Sequence, residues 1–276
     1  MQVTANVYSV HIADTAVSHP GGSNIFFVGD PVYGMALIDT GEDDMQWTSQ
    51  ILDAYQSLGR PTIDSILITH SHSDHVGGLD KIFDITGSDV RCHPKLVERL
   101  SSVVGDDHVS ALEPDENVVI GRNIVLKAIF TPGHDESHVC FYLPSDRVML
   151  TGDTVLGSSS TTVQNLKDYM ESLDRLANFG IDVICPGHGP VVMPPEGSKL
   201  IHKYIDHRNQ REKQVLDAMD NGFSDLDDIV KYVYPDDLPE GLYRGATRNV
   251  LAHLRKLLDD GIVSVESSQE IYRRVP

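Results

Sequence analysis

A dense cluster of metal-ligating side chains constrains this chain more than any other feature. The segment ILITHSHSDHVGG places His70, His72, Asp74 and His75 directly after an apolar run. Such closely spaced imidazoles and carboxylates cannot all be satisfied as core side chains, and they are ligands that zinc and similar ions prefer. The pattern therefore predicts a strand whose end delivers a metal-binding loop.

Three further candidate ligands each stand just past an apolar strand. KAIFTPGH ends in His134, RVMLTGD ends in Asp153, and DVICPGH ends in His188. Strand ends on one edge of a sheet converge in space, and the glycine before each residue lets backbone approach the site closely. Because one ion needs about four ligands, the full set predicts two ions.

Short β-branched runs alternate with helical patterns before residue 200, which favours layered α/β packing. The predicted strands include Val7 to Ile12, Ser23 to Val28 and Ser65 to Thr69, and the predicted helices are Gln46 to Leu58, Pro94 to Ser101 and Val163 to Phe179. The polar segment 158–162 either lines a pocket or forms a surface loop.

The pattern changes after the segment PPEG at 194–197. Ser198 can cap a long helix that runs to about Asp220, and two more helices and a short hairpin follow. Three helices before a β-ribbon are typical of a winged helix. We therefore expect a large domain over residues 1–198 and a small winged-helix-like domain over residues 199–276.

The motifs resemble those of the metallo-β-lactamase superfamily, whose signature is HxHxDH followed by His, Asp and His. The resemblance implies an α/β fold, an αββα sandwich of two mixed sheets with the metals at one edge. It implies that His70, His72 and His134 bind a first ion, that Asp74, His75 and His188 bind a second, and that Asp153 bridges both. Asp39 in LIDTG matches the family's first motif and would orient the metal loop.

The same resemblance implies a dinuclear metal-dependent hydrolase that uses a metal-bridging hydroxide. Asp74 would then be catalytic as well as a ligand, since family members use this carboxylate to orient water and handle its proton. His72 stands where diiron members carry glutamate, which favours two Zn²⁺ and hydrolysis. Imidazole and carboxylate also accept Mn²⁺ or Fe²⁺.

Further segments narrow the resemblance to the branch typified by beta-lactamase-like protein 2, an endoribonuclease in mammals. These segments are GDTVLG, TTVQNLKDYMESL, ICPGHGPVV and IHKYIDHRNQREKQVL. Fungal polyketide thioesterases share this architecture. The leading hypothesis is a hydrolase of a small ester or thioester, and the alternative is a metal-dependent endoribonuclease that cleaves single-stranded RNA.

Charge bears on the choice between these substrates. The chain has 41 acidic and 22 basic residues, a net charge of −19, which disfavours non-specific binding to nucleic acid or anionic membrane. The third tail helix nevertheless carries Arg244, Arg248, Arg255 and Lys256. These side chains contact phosphates, or they pair with Asp259 and Asp260 or close over the metal site. A third possibility is that the tail serves dimerisation or regulation.

The remaining features predict a soluble, cytoplasmic protein. The N-terminus does not resemble a signal or transit peptide, no apolar stretch is long enough to span a membrane, and three scattered cysteines form no disulfide framework. His138 is expected to pack behind the site. The other histidines are expected on surfaces or helix faces: His11, His19, His93, His108, His202, His207 and His253.

Overall fold

Two mixed β-sheets face each other in the N-terminal part of the protein. The computed structural model describes residues 1–14, 21–234, 240–266 and 271–275. The strands of the first sheet lie in the order β1 (Val7–Ile12), β2 (Ser23–Asp30), β3 (Gly34–Ile38), β4 (Ile63–Leu67), β5 (Val90–Cys92) and β6 (Val109–Ala111). β1 to β3 pair antiparallel, and β3 to β6 pair parallel.

The second sheet is mainly antiparallel. Its strands are β7 (Asn117–Ile120), β8 (Ile124–Phe130), β9 (Val139–Leu143), β10 (Val148–Gly152) and β11 (Val183–Pro186). They lie in the order β11-β10-β9-β8-β7, and only the β10–β11 pair is parallel. A parallel last pair places the carboxyl ends of β10 and β11 at the same edge.

Helices cover the outer faces of both sheets. They are α1 (Met45–Ser57), α2 (Ser73–Val76), α3 (Leu79–Thr86), α4 (Val97–Val104) and α5 (Leu166–Leu176). α1 begins where Asp44 accepts hydrogen bonds from the backbone of Gln46 and Trp47, and it buries Trp47 and Ile51. α5 begins in the same way at Asn165, which accepts from the Asp168 backbone.

Three apolar cores hold these layers together. The central core joins the sheets, with Val28 and Ile38 from the first packing among Phe141 and Leu150 from the second. A second core lies between the first sheet and α1, α3 and α4, and a third lies between the second sheet and α5. The order helix, sheet, sheet, helix confirms the predicted αββα sandwich.

The C-terminal part has a core of its own. Its elements are α6 (Gly197–Asp220), α7 (Leu226–Val233), α8 (Glu240–Asp259) and the antiparallel pair β12 (Val263–Glu266) and β13 (Ile271–Arg274). Val215, Ile229 and Leu254 are buried together there. This arrangement confirms the predicted winged helix. α6 also places Ile201 in the core beside α5, so one helix contributes to both parts.

Candidate metal centre

The seven predicted ligands lie together at one edge of the sandwich. Four of them lie in or beside α2 and follow β4, and the other three follow β8, β10 and β11. One ligand atom from each of His70, His72, His134 and Asp153 lies within 4.8 Å of the others, and the same holds for Asp74, His75 and His188. The structure thus brings all seven side chains together in two groups.

Three imidazoles of the first group direct nitrogen atoms toward one point. His70 Nε2 lies 2.9 Å from His72 Nδ1, which lies 3.2 Å from His134 Nε2. His70 Nδ1 contacts the Thr69 hydroxyl at 3.0 Å, and His134 Nδ1 lies 2.8 Å from the Thr162 carbonyl oxygen. Because a carbonyl oxygen only accepts, His134 carries its proton on Nδ1 and presents the Nε2 lone pair to the group.

The second group combines a carboxylate with two imidazoles. Asp74 Oδ2 lies 3.1 Å from His188 Nε2 and 3.4 Å from His75 Nε2. The opposite ring nitrogens are held from outside, because His188 Nδ1 lies 3.0 Å from Ser23 Oγ and His75 Nδ1 lies 2.7 Å from Asp39 Oδ2. These outer contacts fix the orientation of both rings.

The Asp153 carboxylate lies between the two groups. Its Oδ2 lies 3.2 Å from His188 Nε2 and 3.7 Å from His134 Nε2, and its Oδ1 lies 3.5 Å from His75 Nε2. A β-carbon on Gly187 would overlap Asp153 Oδ1, so only glycine permits this approach. One carboxylate therefore faces both sets of imidazoles.

The carboxylates of the site stay ionised and require positive charge nearby. Burial alone would lower the pKa of His188, but its hydrogen bonds to Asp153 and Asp74 raise it to about 9. Burial likewise opposes the charge on His75, and the carboxylates of Asp39 and Asp153 raise its pKa well above the usual range. Burial would raise the pKa of Asp153, but His75 and His188 hold it well below its usual range.

Two buried polar atoms show that the side chains fit a cation. Among the described residues, His75 Nε2 and Asp153 Oδ1 are buried without a hydrogen-bond partner. Such orphaned atoms are rare in native interiors and call for an explanation. A divalent metal between the imidazoles and carboxylates would satisfy both atoms, and this donor set suits such ions. The two His/Asp groups thus imply divalent metals.

Asp39 supports the metal loop from behind. Its buried carboxylate accepts hydrogen bonds from the Thr69 backbone N–H at 2.7 Å and from the Thr69 hydroxyl at 2.8 Å. The same carboxylate also lies 2.7 Å from His75 Nδ1. Asp39 therefore connects the end of β4 to the second group, in the position that the sequence indicates.

His138 lies behind the site and is not one of the seven ligand candidates. The Asp153 backbone N–H donates to His138 Nε2 at 3.1 Å, so the proton of this ring is on Nδ1, 2.9 Å from Thr131 Oγ1. Burial lowers the pKa of His138 to about 3, which keeps the ring neutral. The histidine packs under the backbone of Asp153, as predicted.

Several residues that hold the site escape sequence reasoning. Ser23 contacts His188 from the start of β2, and Thr161 and Thr162 contact His134 Nδ1. Arg208 of α6 is 3% exposed and donates to the Thr161 carbonyl oxygen. No spacing in the sequence distinguishes Ser23 or Arg208, whereas Thr161 and Thr162 belong to the segment 158–162, for which the sequence left a pocket lining and a surface loop open.

The expectation for the other histidines is right for most and wrong for one. His11, His108, His202 and His207 are exposed, and His19 lies outside the described residues. His253 is only 1% exposed, with Nδ1 3.6 Å from Glu212 Oε2. It is buried because the inner face of α8 packs against α6, a tertiary contact that the helical pattern alone does not specify.

His93→Ala is expected to leave the metal content unchanged. His93 caps the short turn after β5 through a 3.2 Å bond from Lys95 N, so its loss should cost about 1 kcal/mol of unfolding free energy. Metal analysis and chemical denaturation of the variant would check both expectations, with His72→Ala as the metal-losing comparison. Loss of metal from His93→Ala would contradict our assignment of the histidines.

Comparisons with known proteins give the class of this protein. Residues 19–188 match the model of the metallo-beta-lactamase superfamily, and residues 226–273 match that of the beta-lactamase associated winged helix domain. The first match spans more than half of the chain. The chain therefore belongs to the metallo-β-lactamase superfamily, and it is a hydrolase of that superfamily.

The relatives include proteins of the branch indicated by the sequence. The beta-lactamase-like protein 2 homolog of Drosophila melanogaster is 32% identical over 260 residues, which are 90% of this chain and 86% of that protein. An atrochrysone carboxyl ACP thioesterase of Aspergillus fumigatus is 30% identical over 227 residues, 78% of this chain and 67% of that protein. These matches confirm the predicted resemblance.

A solved structure supports the fold. The crystal structure of a beta-lactamase domain protein from Burkholderia ambifaria superimposes with a TM-score of 0.80 at 20% identity, covering 100% of this chain and 93% of that one. In the part of the chain that the structure describes, no helix combines the length and apolar character needed to cross a bilayer.

Proposed function

We propose that this protein is a dinuclear metal-dependent hydrolase that acts on a small ester or thioester. The observation that carries the proposal is the position of Asp153, whose carboxylate faces both groups of imidazoles. One bridging carboxylate between two donor sets is suited to a pair of ions. Bound there, two ions would activate water at neutral pH and stabilise the negative charge that develops on the substrate oxygen.

The ligand roles follow from the two groups. His70, His72 and His134 would hold the first ion, Asp74, His75 and His188 the second, and Asp153 both. We propose Zn²⁺ for both sites because five of the seven donors are imidazoles, and Mn²⁺ or Fe²⁺ are the competing ions. Metal analysis of protein purified without chelators tests this assignment.

We propose that Asp74 has a catalytic role besides binding metal. Burial would raise its pKa, but hydrogen bonds from His188 and His75 hold the pKa well below the usual range, so the carboxylate is ionised. An ionised carboxylate at the edge of the site can orient a water molecule and accept its proton.

The proposed substrate class draws support from one relative. The protein named as a thioesterase aligns over 78% of this chain, including both groups of ligand candidates. A thioester carbonyl would suit a site that supplies activated water and positive charge. The direct test is a hydrolysis screen of the zinc-loaded protein against acyl-CoA, acyl-carrier thioesters, lactones and short RNA.

The alternative function is cleavage of single-stranded RNA. The observation in its favour is on α8, where Arg244, Arg248 and Arg255 are exposed. Lys256 contributes less, because it pairs with Glu212 at 3.0 Å and with Asp260 at 2.9 Å. The three arginines are therefore available to phosphates.

Salt dependence is expected to distinguish the two substrates. If three arginines contact phosphates, RNA binding should weaken about 20-fold between about 50 and 200 mM salt, because each contact with a single strand contributes a log–log slope of about −0.7. The KM for an acyl-N-acetylcysteamine thioester, which has no phosphate, should barely change. Steady-state assays across this range would check it, and a steep loss of RNA cleavage that Arg248→Gln makes shallower would favour the alternative.

We also propose that the two units divide near residue 198, as the sequence indicates. The two family matches end at 188 and begin at 226, and α6 spans most of the interval between them. Because α6 contributes to both cores, we propose this boundary as a division between functional units and not as a gap in packing.

A further inference from the structure

Helix α6 buries a charged side chain beside the metal centre. Arg208 is 3% exposed, its Nη2 donates to the Thr161 carbonyl oxygen at 2.9 Å, and its guanidinium lies 5.5 Å from the centroid of the Tyr169 ring. Its Nε is buried without a hydrogen-bond partner among the described residues. A buried cation with an incompletely satisfied guanidinium is destabilising, so its place beside the site points to a role other than stability.

The segment that Arg208 holds is the one that orients His134. Thr161 Oγ1 lies 2.9 Å from His134 Nδ1, and the carbonyl oxygen of the next residue, Thr162, accepts from the same nitrogen. The Thr161 side chain is itself buried. Any shift of this segment would therefore turn the imidazole and move its Nε2 away from His72 and Asp153.

The same helix holds the segment at a second place. Tyr204, one turn before Arg208, accepts from the Leu156 backbone N–H at 2.9 Å and donates to the Ser159 carbonyl oxygen. On the other side, Arg208 Nη1 lies 3.5 Å from Asn249 Oδ1 of α8. Arg208 thus lies between the segment that orients His134 and helix α8 of the C-terminal part.

We propose that Arg208 is a positioning residue for His134, through which the C-terminal part of the chain completes the first metal group. The chain of contacts runs from α8 to Arg208, from Arg208 to Thr161, and from Thr161 and Thr162 to His134 Nδ1. The inference rests on the proposed metal-binding function. It assigns to the winged-helix part a role in metal binding that does not depend on the substrate.

The test is metal affinity of the full-length Arg208→Met variant. We expect zinc titration against a chelating competitor to show two sites in the unaltered protein. One of them should be weakened about 10-fold in the variant, the lower end of the range for loss of outer partners of metal ligands, because Arg208 acts on His134 through Thr161. Cobalt substitution adds a spectroscopic readout, because a turned His134 would change the ligand-field bands of one site.

Arg211→Met is the matched control on the same helix. Arg211 Nη1 donates to the Val233 carbonyl oxygen at 3.1 Å, and its guanidinium lies 4.2 Å from the Tyr234 ring, so its contacts lie within the C-terminal part. We expect unchanged affinity at both metal sites. A merely structural role for Arg208 would lower the melting temperature of the metal-free variant and leave its metal affinities equal to those of this control.

Two further variants keep the inference testable if Arg208→Met does not fold. Arg208→Lys keeps the positive charge but loses the planar guanidinium with its several N–H donors. Thr161→Val removes the hydroxyl that contacts His134. Each variant should weaken metal binding at one site at least about threefold, because part of the hydrogen bonding that orients His134 is lost. Unaltered affinity in the folded Arg208 variants would overturn the inference. If the unaltered protein itself bound no metal, the proposed function would fail first, which distinguishes the two failures.

Discussion

Asp153→Asn is expected to lose the second metal and nearly all hydrolytic activity. Asparagine has the same shape, so packing against Gly187 is kept, but it is neutral and cannot bridge two cations. The imidazole of His188 would face one carboxylate, Asp74, instead of two. Since loss of an outer partner alone costs about 10- to 100-fold, we expect loss of this shared contact to lower metal affinity at least about 100-fold.

Metal analysis of the dialysed variant, followed by the thioester assay, would measure this effect. Asp174→Asn is the matched control, because Asp174 is exposed on α5, away from the seven side chains. It should keep two ions and full turnover. Two tightly bound ions and normal turnover in Asp153→Asn would show that the carboxylate does not bridge.

Asp39→Asn is expected to weaken metal binding in the second group by about 10- to 100-fold, although Asp39 is not a ligand candidate. The substitution replaces one acceptor oxygen with an amide donor. In one orientation this donor faces both the Thr69 hydroxyl and His75 Nδ1, and in the other it faces the Thr69 backbone N–H. We also expect the free energy of unfolding to fall by about 1–3 kcal/mol, the range for a buried donor left unsatisfied. Asparagine is chosen because the φ of Asp39 is 63°, a left-handed conformation that asparagine tolerates.

Asp115→Asn provides an unusually close control for this variant. Asp115 has a φ of 64° and is exposed, so the substitution and the backbone conformation match those of Asp39→Asn while the metal centre is untouched. Zinc titration and denaturant unfolding of the two variants would separate electrostatic from backbone effects. Equal metal affinities in both would rule out a supporting role for Asp39.

The site could be anticipated from sequence because its residues carry distinctive chemistry at strand ends. The HxHxDH segment follows β4, and His134, Asp153 and His188 follow strands whose ends the topology brings to one edge. β1 has the predicted bounds, Val7–Ile12, because the polar Asn6 precedes its apolar pattern and Asp14 follows shortly after its end. The winged helix was predictable for a similar reason, since the long α6 is followed by two shorter helical patterns and a hairpin.

The bounds of strands and helices, and the presence of the shortest ones, were harder to predict from the sequence. The predicted strand at Ser65 to Thr69 lies two residues later than β4, Ile63–Leu67, since the apolar run continues past the last ladder pair into the metal loop. α3, Leu79–Thr86, and β6, Val109–Ala111, were absent from the prediction, because α3 begins at Gly78 without a side-chain cap and β6 has only three residues. The burial of His253 and Arg208 depends on the tertiary packing of α6, which local sequence patterns do not predict.

The helix shared by two cores limits how this protein can diverge. α6 supplies apolar residues to the sandwich at one end and to the winged helix at the other. An ancestral exchange of the tail would have had to preserve its first turns, whereas α7 and the β-ribbon lie beyond that constraint. Substitutions in the distal tail can therefore accumulate without disturbing the first turns of α6, which pack against the sandwich.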